Sequence, residues 1–508
     1  MTYVDVAIIG AGPVGMLLAI ELSLTGTSCL LLEADREPED VQKALSVGPL
    51  GAEALMRRGF GAELDAMEAR TIAMTRSSAS SAGGGWARPL TGVKRFSGHF
   101  AGIPLPAQEV DDLRPTRFID QRFLQQMLLA DIVRRDIPFW RGCRVTGIEH
   151  RQDGVMLDLF HEPDQSDTRC RKLSCRYVVG CDGGRSFLRK RGGFAFPGTP
   201  PSLGFYQVFA TFEHAQDVPQ SGWQMQPGGV LAYGPIPDRL FLVDFSGPPA
   251  EAQAVPDRTQ VEQALARVCG RPIVLKDYHG GRCWTDHTRL VDTYRKGNLF
   301  LAGDAAHIHA PFGGQGLGLG LCDAANLGWK LGAVLSGRAP QTLLDSYTAE
   351  RRPVAEAVLA NTQAQMALMR PDTQSRALRR LMVDMLTESS AGARLSAEMK
   401  GFAIRYDLEG KRCDDTQTGA LVADRILADG HRLYSLMQDG AAVLLHPAGE
   451  APPPVSMPER VIAAGWTENS LALIRPDGCL AWQGERYDRA GCQQALTQWF
   501  GMGAAPVS

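Results

Sequence analysis

The chain opens on a β-rich apolar run, Val4, Asp5, Val6, Ala7, Ile8 and Ile9, followed by glycine turns. From Val14 to Leu24 apolar residues recur at helical spacing, and Cys29 to Leu32 is a second strand, which completes a βαβ unit. Further along, Gln121 to Arg135 predicts a helix. Phe205 to Phe212, Val230 to Tyr233 and Leu240 to Phe245 predict strands between Pro/Gly turns, the pattern of a mostly antiparallel sheet. Asn298 to Leu301 reads as a buried strand, Leu317 to Leu335 as a long helix ending at Gly337, and a second helical run follows Tyr347 through Met369. Met74 to Leu113 is rich in Gly, Ser and Pro and predicts irregular excursions beside a second domain. Beyond about residue 395 a tail carries a strand at Leu471 to Ile474, a turn at Pro476, Asp477 and Gly478, and a strand at Leu480 to Trp482, as expected of a small α/β domain.

At 508 residues the chain exceeds one ordinary core, so two to three packed units are expected. Lys plus Arg number 53 against 56 Asp plus Glu, and a net charge of -3 provides no field to recruit nucleic acid or an anionic membrane. A small molecule is the default partner. Met1 and Thr2 run into the first strand without a basic segment or a small-residue cleavage site, so the expected location is cytoplasmic. The apolar stretch to Leu24 is interrupted by Gly10, Gly12, Pro13, Gly15 and Glu21, which argues against a membrane span. Eleven cysteines lack paired metal-ligand spacing; Cys170 and Cys175, four residues apart in between, are expected as surface thiols on a hairpin, and no metal site is expected.

Gly10, Gly12 and Gly15 follow the first strand and open the first helix, where a tight turn brings N–H groups and the helix dipole against a pyrophosphate. Glu33 ends the next strand, where an acidic residue accepts from ribose hydroxyls. A second signature runs Val178, Val179, Gly180, Cys181, Asp182, Gly183, Gly184, Arg185, Ser186, and a third runs Leu299, Phe300, Leu301, Ala302, Gly303, Asp304. The third delivers an aspartate at the carboxyl end of a strand, where open α/β sheets bind ligands. His307, His309 and the run Pro311, Phe312, Gly313, Gly314, Gln315, Gly316 then lead into another helix N-terminus. One nucleotide fingerprint with two distal elements is what a single extended FAD requires.

On these motifs the chain resembles the class A flavoprotein monooxygenases, the family of p-hydroxybenzoate hydroxylase, phenol hydroxylase and the aromatic polyketide hydroxylases. The family's three motifs match in order at Gly10 to Glu33, Cys181 to Arg189 and Gly303 to Lys330, and Leu344, Asp345, Tyr347, Glu350, Arg351, Arg352 and Pro353 also fit, so the likeness spans nearly the whole length. It implies an α/β fold with a Rossmann-like FAD-binding domain at 1–75, 106–185 and 285–395. An interleaved, mostly antiparallel substrate domain is implied at 76–105 and 186–284, and a thioredoxin-like domain at 396–508. The implied cofactor-binding residues are Gly10, Gly12, Pro13, Val14, Gly15, Glu33, Ala34, Lys43, Gln121, Val145, Asp182, Gly303, Asp304, Pro311, Gly314, Gly316, Leu317 and Gly318. Within that set the resemblance gives Glu33 the adenosine ribose, Gln121 the flavin side and Asp304 the ribityl chain. Asp182 falls in the motif serving both FAD and the nicotinamide donor, and the Pro311 to Gly318 loop lies beside the isoalloxazine. Two positions depart from the pattern: Gly318 stands where relatives usually have Asn, and Lys43 where many have an arginine, keeping the charge without the bidentate geometry. The tail has no Cys-x-x-Cys, so packing rather than redox exchange is expected of it.

The implied reaction is hydroxylation of an aromatic or polyketide-like molecule with NADPH or NADH and O2, through a flavin C4a-hydroperoxide, in a monomer or homodimer. Baeyer-Villiger oxidation or epoxidation of a polyketide, antibiotic inactivation by hydroxylation, and sequestration of a drug without catalysis are the alternatives. Phe205, Tyr206, Trp223, Met225, Tyr233 and Trp284, with Pro311 and Phe312 of the flavin loop, are the candidate substrate contacts, each equally suited to a core position. No residue is assigned as catalytic. His307 and His309 have no third ligand in view and are expected to be structural, and Arg376, Arg379 and Arg380 are expected to form a solvated helix face.

Overall fold

In the computed structural model the described residues are 2–38, 43–79, 98–161, 170–234, 236–249, 255–408 and 417–501. Of the irregular stretch expected between Met74 and Leu113, residues 80–97 lie outside them, while Met74 to Ala79 are not irregular but continue the helix Gly61–Ala79. The first strand, Thr2–Ile9, sits inside an eight-stranded sheet, with Cys29–Leu32 parallel on one side and Cys170–Gly180 parallel on the other. Leu299–Leu301 adds parallel to Cys170–Gly180, and Phe139–Trp140 adds parallel to Cys29–Leu32. The helix Pro13–Leu24 packs against this sheet, and Gln315–Leu335 packs against Pro13–Leu24 and the Gly303 turn. Their apolar residues are buried almost without interruption, the composition of elements covered on all sides.

Cys143–Arg151 and Gly154–His161 form an antiparallel hairpin that pairs onto Cys170–Gly180. This hairpin explains Cys175, which is buried and points its thiol at the Val155 carbonyl at 3.5 Å instead of lying on the surface. The Cys170 side chain is outside the described residues.

A second sheet runs Gly222–Met225, Gly229–Tyr233, Arg239–Asp244, Gly204–Phe212, Leu275–Thr285, all antiparallel. Alternation sorts its two faces. Tyr206, Val208, Leu240 and Leu242 pack on one side with Val261, Ala264, Leu265 and Val268 of the helix Arg258–Cys269. Phe205, Phe241 and Val243 point the other way and join Phe312 of the loop before Gln315–Leu335.

The C-terminal sheet has strand order Val461–Trp466, Ala442–Pro447, Ser470–Ile474, Leu480–Glu485, with the first pair parallel and the others antiparallel, and the helix Arg489–Phe500 lies against one face. Its junction with the rest of the chain shares the main apolar core and adds a buried ionic cluster. Glu350 accepts from Arg475 at 2.8 and 2.7 Å and from Lys330 at 2.9 Å, while Asn326 bridges Glu350 and Asp477 at 2.6 and 2.9 Å, all of them buried. Arg58 pairs with Glu21 at 2.8 Å and donates to the Met437 and Pro476 carbonyls. No helix of the described residues is long and apolar enough to cross a membrane.

Candidate active site

Register brings the separate motifs to one edge. Ile9 pairs with Leu32 on one side and with Gly180 on the other, and Gly180 pairs with Leu301, so four strands end level. The turns at Gly10, Glu33, Cys181–Asp182 and Gly303–Asp304 therefore leave the sheet side by side at its carboxyl edge. Gly10 has φ +103°, and a Cβ there would sit 2.4 Å from the Cys181 carbonyl oxygen. A Cβ on Gly15 would sit 2.0 Å from the Gly10 carbonyl oxygen, so only glycine lets the helix Pro13–Leu24 start this close to the turn.

Glu33 fastens the turn. Its carboxylate accepts the Ala11 N–H at 2.8 Å and the Asp35 N–H at 3.0 Å. Asp182 instead folds back on its own segment, accepting from the Ser186 hydroxyl at 2.5 Å and from the Phe187 and Leu188 N–H groups at 2.6 and 3.1 Å. Burial raises its carboxyl above the ordinary value against the pull of those donors. Arg189, four residues past Arg185, donates to the Ala305 carbonyl at 2.9 Å and the Gly184 carbonyl at 2.7 Å, and thereby ties the second motif to the third.

Behind the third motif lies a buried cluster. Asp323 accepts from the Gly303 N–H at 3.1 Å, from Arg351 Nε at 2.7 Å, and meets His307 Nε2 at 2.7 Å. Burial would raise the Asp323 carboxyl, but Arg351 and His307 outweigh it and hold it below its ordinary value. Arg351 also reaches the Leu319 carbonyl and the Tyr406 hydroxyl, each at 3.0 Å. His307 is thus a structural side chain, buried off the cavity. His309 does line the cavity, hydrogen-bonded through Nδ1 to the Ala310 carbonyl at 2.8 Å, and burial lowers its imidazole pKa.

One cavity of about 3710 Å3 connects these parts. Of the residues expected at the cofactor, Gly10, Gly12, Pro13, Val14, Glu33, Ala34, Lys43, Gln121, Val145, Asp182, Asp304, Pro311, Gly314, Gly316, Leu317 and Gly318 line it. Gly15 and Gly303 do not; they hold the backbone behind the lining. Two helix N-termini open into the same space, at Gly12 and at Gly314, and neither is capped by a side chain. Unsatisfied N–H groups at both places, joined by a long cleft, fit an extended dinucleotide with one anionic group at each. Asp304 is exposed into the cleft.

Trp223, Tyr233, Trp284, Pro311 and Phe312 also line the cavity, with Phe241 beside them. Phe205, expected at the substrate, is fully buried one layer behind, its ring 5.8 Å from Phe312 and 5.9 Å from Trp284. Tyr206 lies on the opposite face of the sheet, and Met225 is 37% exposed and outside the lining. Alternation along a strand puts neighbours on opposite faces, and the sequence alone does not say which face is inside. The Arg376 and Arg379 side chains are more than a solvated face: Arg379 donates to the Ala101 carbonyl and Arg376 to the Gln226 and Pro227 carbonyls. Sequence reasoning also missed Asp323, Asn326 and Lys330 as a group. Polar residues spaced three and four apart inside the otherwise apolar helix Gln315–Leu335 were the available signal.

Comparison with known proteins agrees with this geometry. A family model described as FAD binding domain matches residues 3–362, and one described as aromatic-ring hydroxylase, C-terminal, matches 415–503. A 12-dehydrotetracycline 5-monooxygenase/anhydrotetracycline 6-monooxygenase of Streptomyces rimosus subsp. rimosus is 34% identical over 98% of this chain and 99% of its own. A rifampicin monooxygenase of Streptomyces venezuelae is 33% identical over 99% of both chains. Among solved structures, the anhydrotetracycline hydroxylase OxyS from Streptomyces rimosus superimposes with a TM-score of 0.83 at 32% identity, over 99% of this chain and 100% of that one. With the FAD-type turns, the uncapped helix ends and the aromatic wall in one cavity, and relatives matched end to end, the chain belongs to the class A flavoprotein monooxygenases and is an FAD-dependent enzyme.

Proposed function

We propose that the protein hydroxylates an aromatic, polyketide-like molecule with NAD(P)H and O2, holding FAD along the cleft and the substrate against the aromatic wall. The observation that carries this reading is continuity: a single cavity runs from the Gly10 turn past Asp304 and the Pro311–Gly316 loop to Trp223, Phe241 and Trp284. The chemistry FAD supplies when bound is acceptance of hydride from NAD(P)H and activation of O2. The chain's own part is to bind, orient and keep water out. In this reading the Gly12 helix end receives the pyrophosphate, Glu33 the ribose, Asp304 the ribityl hydroxyls, and the Gly314 helix end the ring system. Trp223, Trp284 and Phe312 give a flat substrate an apolar surface on which to stack. The domain division drawn from the sequence, the cytoplasmic location and a monomeric or homodimeric state belong to the same proposal.

Purified protein should be yellow, and a panel of phenols, naphthoquinones and tetracyclic polyketides should contain compounds that accelerate NADPH or NADH oxidation and gain one oxygen. Product structure then separates hydroxylation from Baeyer-Villiger oxidation or epoxidation, which add the same mass. Tight binding of such compounds with no acceleration of NAD(P)H oxidation would favour sequestration and sink the hydroxylase reading.

A further inference from the structure

Arg239 begins the strand Arg239–Asp244 and lines the substrate side of the cavity. A guanidinium carries five N–H donors and keeps its charge at all ordinary pH. Here one donor goes to Gln207 Oε1 at 2.9 Å and one to the Gly234 carbonyl at 3.3 Å, both neutral acceptors, while the buried Nε has no partner. Among the described residues no carboxylate pairs with it. The adjacent acid, Asp238, also lines the cavity but engages the Tyr233 hydroxyl and makes no ion pair with the guanidinium. Burial without a compensating anion pushes the Arg239 pKa down to about 10. A cation placed in an apolar cleft without its counter-ion is costly unless a ligand supplies one.

The neighbours define where that anion sits. Phe312, on the loop before the helix Gln315–Leu335, has its ring 6.1 Å from Trp223, and Trp223 is 5.7 Å from Phe241. Phe241 is two residues from Arg239 on one strand and one face, about 7 Å along it. An aromatic wall therefore leads from the flavin loop to the guanidinium, several ring-widths long. We propose that Arg239, with Gln207 beside it, is the anion-binding end of the substrate site, and that the substrate is an extended polycyclic aromatic carrying an ionised oxygen at the end remote from the ring that reacts. The ionised group is a vinylogous acid, phenolate or carboxylate, to which an arginine offers paired, charge-assisted donors. This rests on the hydroxylase reading for which ring reacts, but the binding claim is tested without turnover.

The test uses the FAD-loaded protein and two probes of nearly equal shape, 2-hydroxy-1,4-naphthoquinone, ionised at neutral pH, and its neutral 2-methoxy ether. Binding is followed by perturbation of the flavin spectrum in the absence of NAD(P)H. Wild type should favour the ionised probe at least tenfold. Arg239→Gln should remove most of that preference with FAD content unchanged, and Arg239→Lys should restore part of it. Equal binding of both probes by wild type, or a preference that survives in an Arg239→Gln variant that still carries FAD, overturns the proposal. If Arg239→Gln does not fold, the Arg239→Lys variant decides: a preference as large as wild type's contradicts a site built on guanidinium geometry. Absence of NAD(P)H oxidation with every compound would instead strike the hydroxylase reading and leave the anion-site result standing.

Discussion

At the scale of single residues, the site depends on a few positions whose neighbours leave little choice. Gly10 combines φ +103° with an added Cβ only 2.4 Å from the Cys181 carbonyl, so Gly10→Ala should cost about 1–3 kcal/mol in backbone strain and also deplete bound FAD. Thermal unfolding and the flavin-to-protein absorbance ratio check this; an unchanged ratio would mean that the turn tolerates a methyl group. Asp304→Ala should fold and lose FAD on dialysis, and full retention of flavin absorbance would remove Asp304 from the cofactor site. Gly318 is different. An added Cβ there meets nothing nearer than Gly51 N at 3.8 Å, so the glycine found where relatives usually carry Asn is not forced by packing. Gly318→Ala, in a helix, should raise stability by about 0.5–1 kcal/mol, and a drop in melting temperature would refute that reading.

Among elements, the long helix Gln315–Leu335 does most to join the molecule, since its Asp323 holds the Gly303 turn and its Asn326 and Lys330 face Glu350. Burial would raise the Glu350 carboxyl, but Arg475 and Lys330 outweigh it and hold it well below its ordinary 4.5. Asp477, opposed by Arg475, also lies below its ordinary 3.8. A carboxyl whose folded pKa is depressed stabilises the fold above its unfolded value and stops doing so as pH falls through the folded one. Stability should therefore decline progressively below about pH 4.5. Lys330 acts in the other direction: burial lowers it to about 8 against an ordinary 10.5, so its penalty on folding is relieved as pH rises through that interval. Glu350→Gln leaves buried cations short of a partner and should cost about 3–5 kcal/mol while flattening the acid limb of the stability profile. Denaturant unfolding from pH 3 to 11 reads both the acid limb and the Lys330 relief, and an acid limb in the variant as steep as wild type's would assign it elsewhere.

The strand Cys29–Leu32 is readable as a short continuous apolar run between turn signals, and the helix from Gln121 because helical spacing extends to its end. The three cofactor motifs were readable because each couples glycine geometry to a strand end. Which face of the second sheet looks inward is not written in the alternation, which misplaces Tyr206 and hides Arg239 and Gln207; Phe205 is on the inward face but lies one layer behind the cavity wall, a depth the sequence does not show. The ionic junction with the C-terminal sheet was equally hidden, because Glu350 and Arg475 are 125 residues apart in sequence and charge alone does not reveal burial.

For the whole molecule, a cofactor held only by the folded chain must stabilise it. At a free FAD concentration a hundred times its dissociation constant the gain is about 2.7 kcal/mol, so apo-protein should melt below holo-protein and recover on titration with FAD. Equal melting temperatures at saturation would mean that the flavin is not lodged in the cleft. The claim that this cleft serves oxygen transfer is tested most directly by running the reaction of a stimulating aromatic compound under oxygen-18 gas and determining product mass. The expected product carries one oxygen-18 atom and forms only with NAD(P)H and FAD-loaded protein. A product whose new oxygen comes from water, or NAD(P)H oxidation that never yields an oxygenated product, would contradict it.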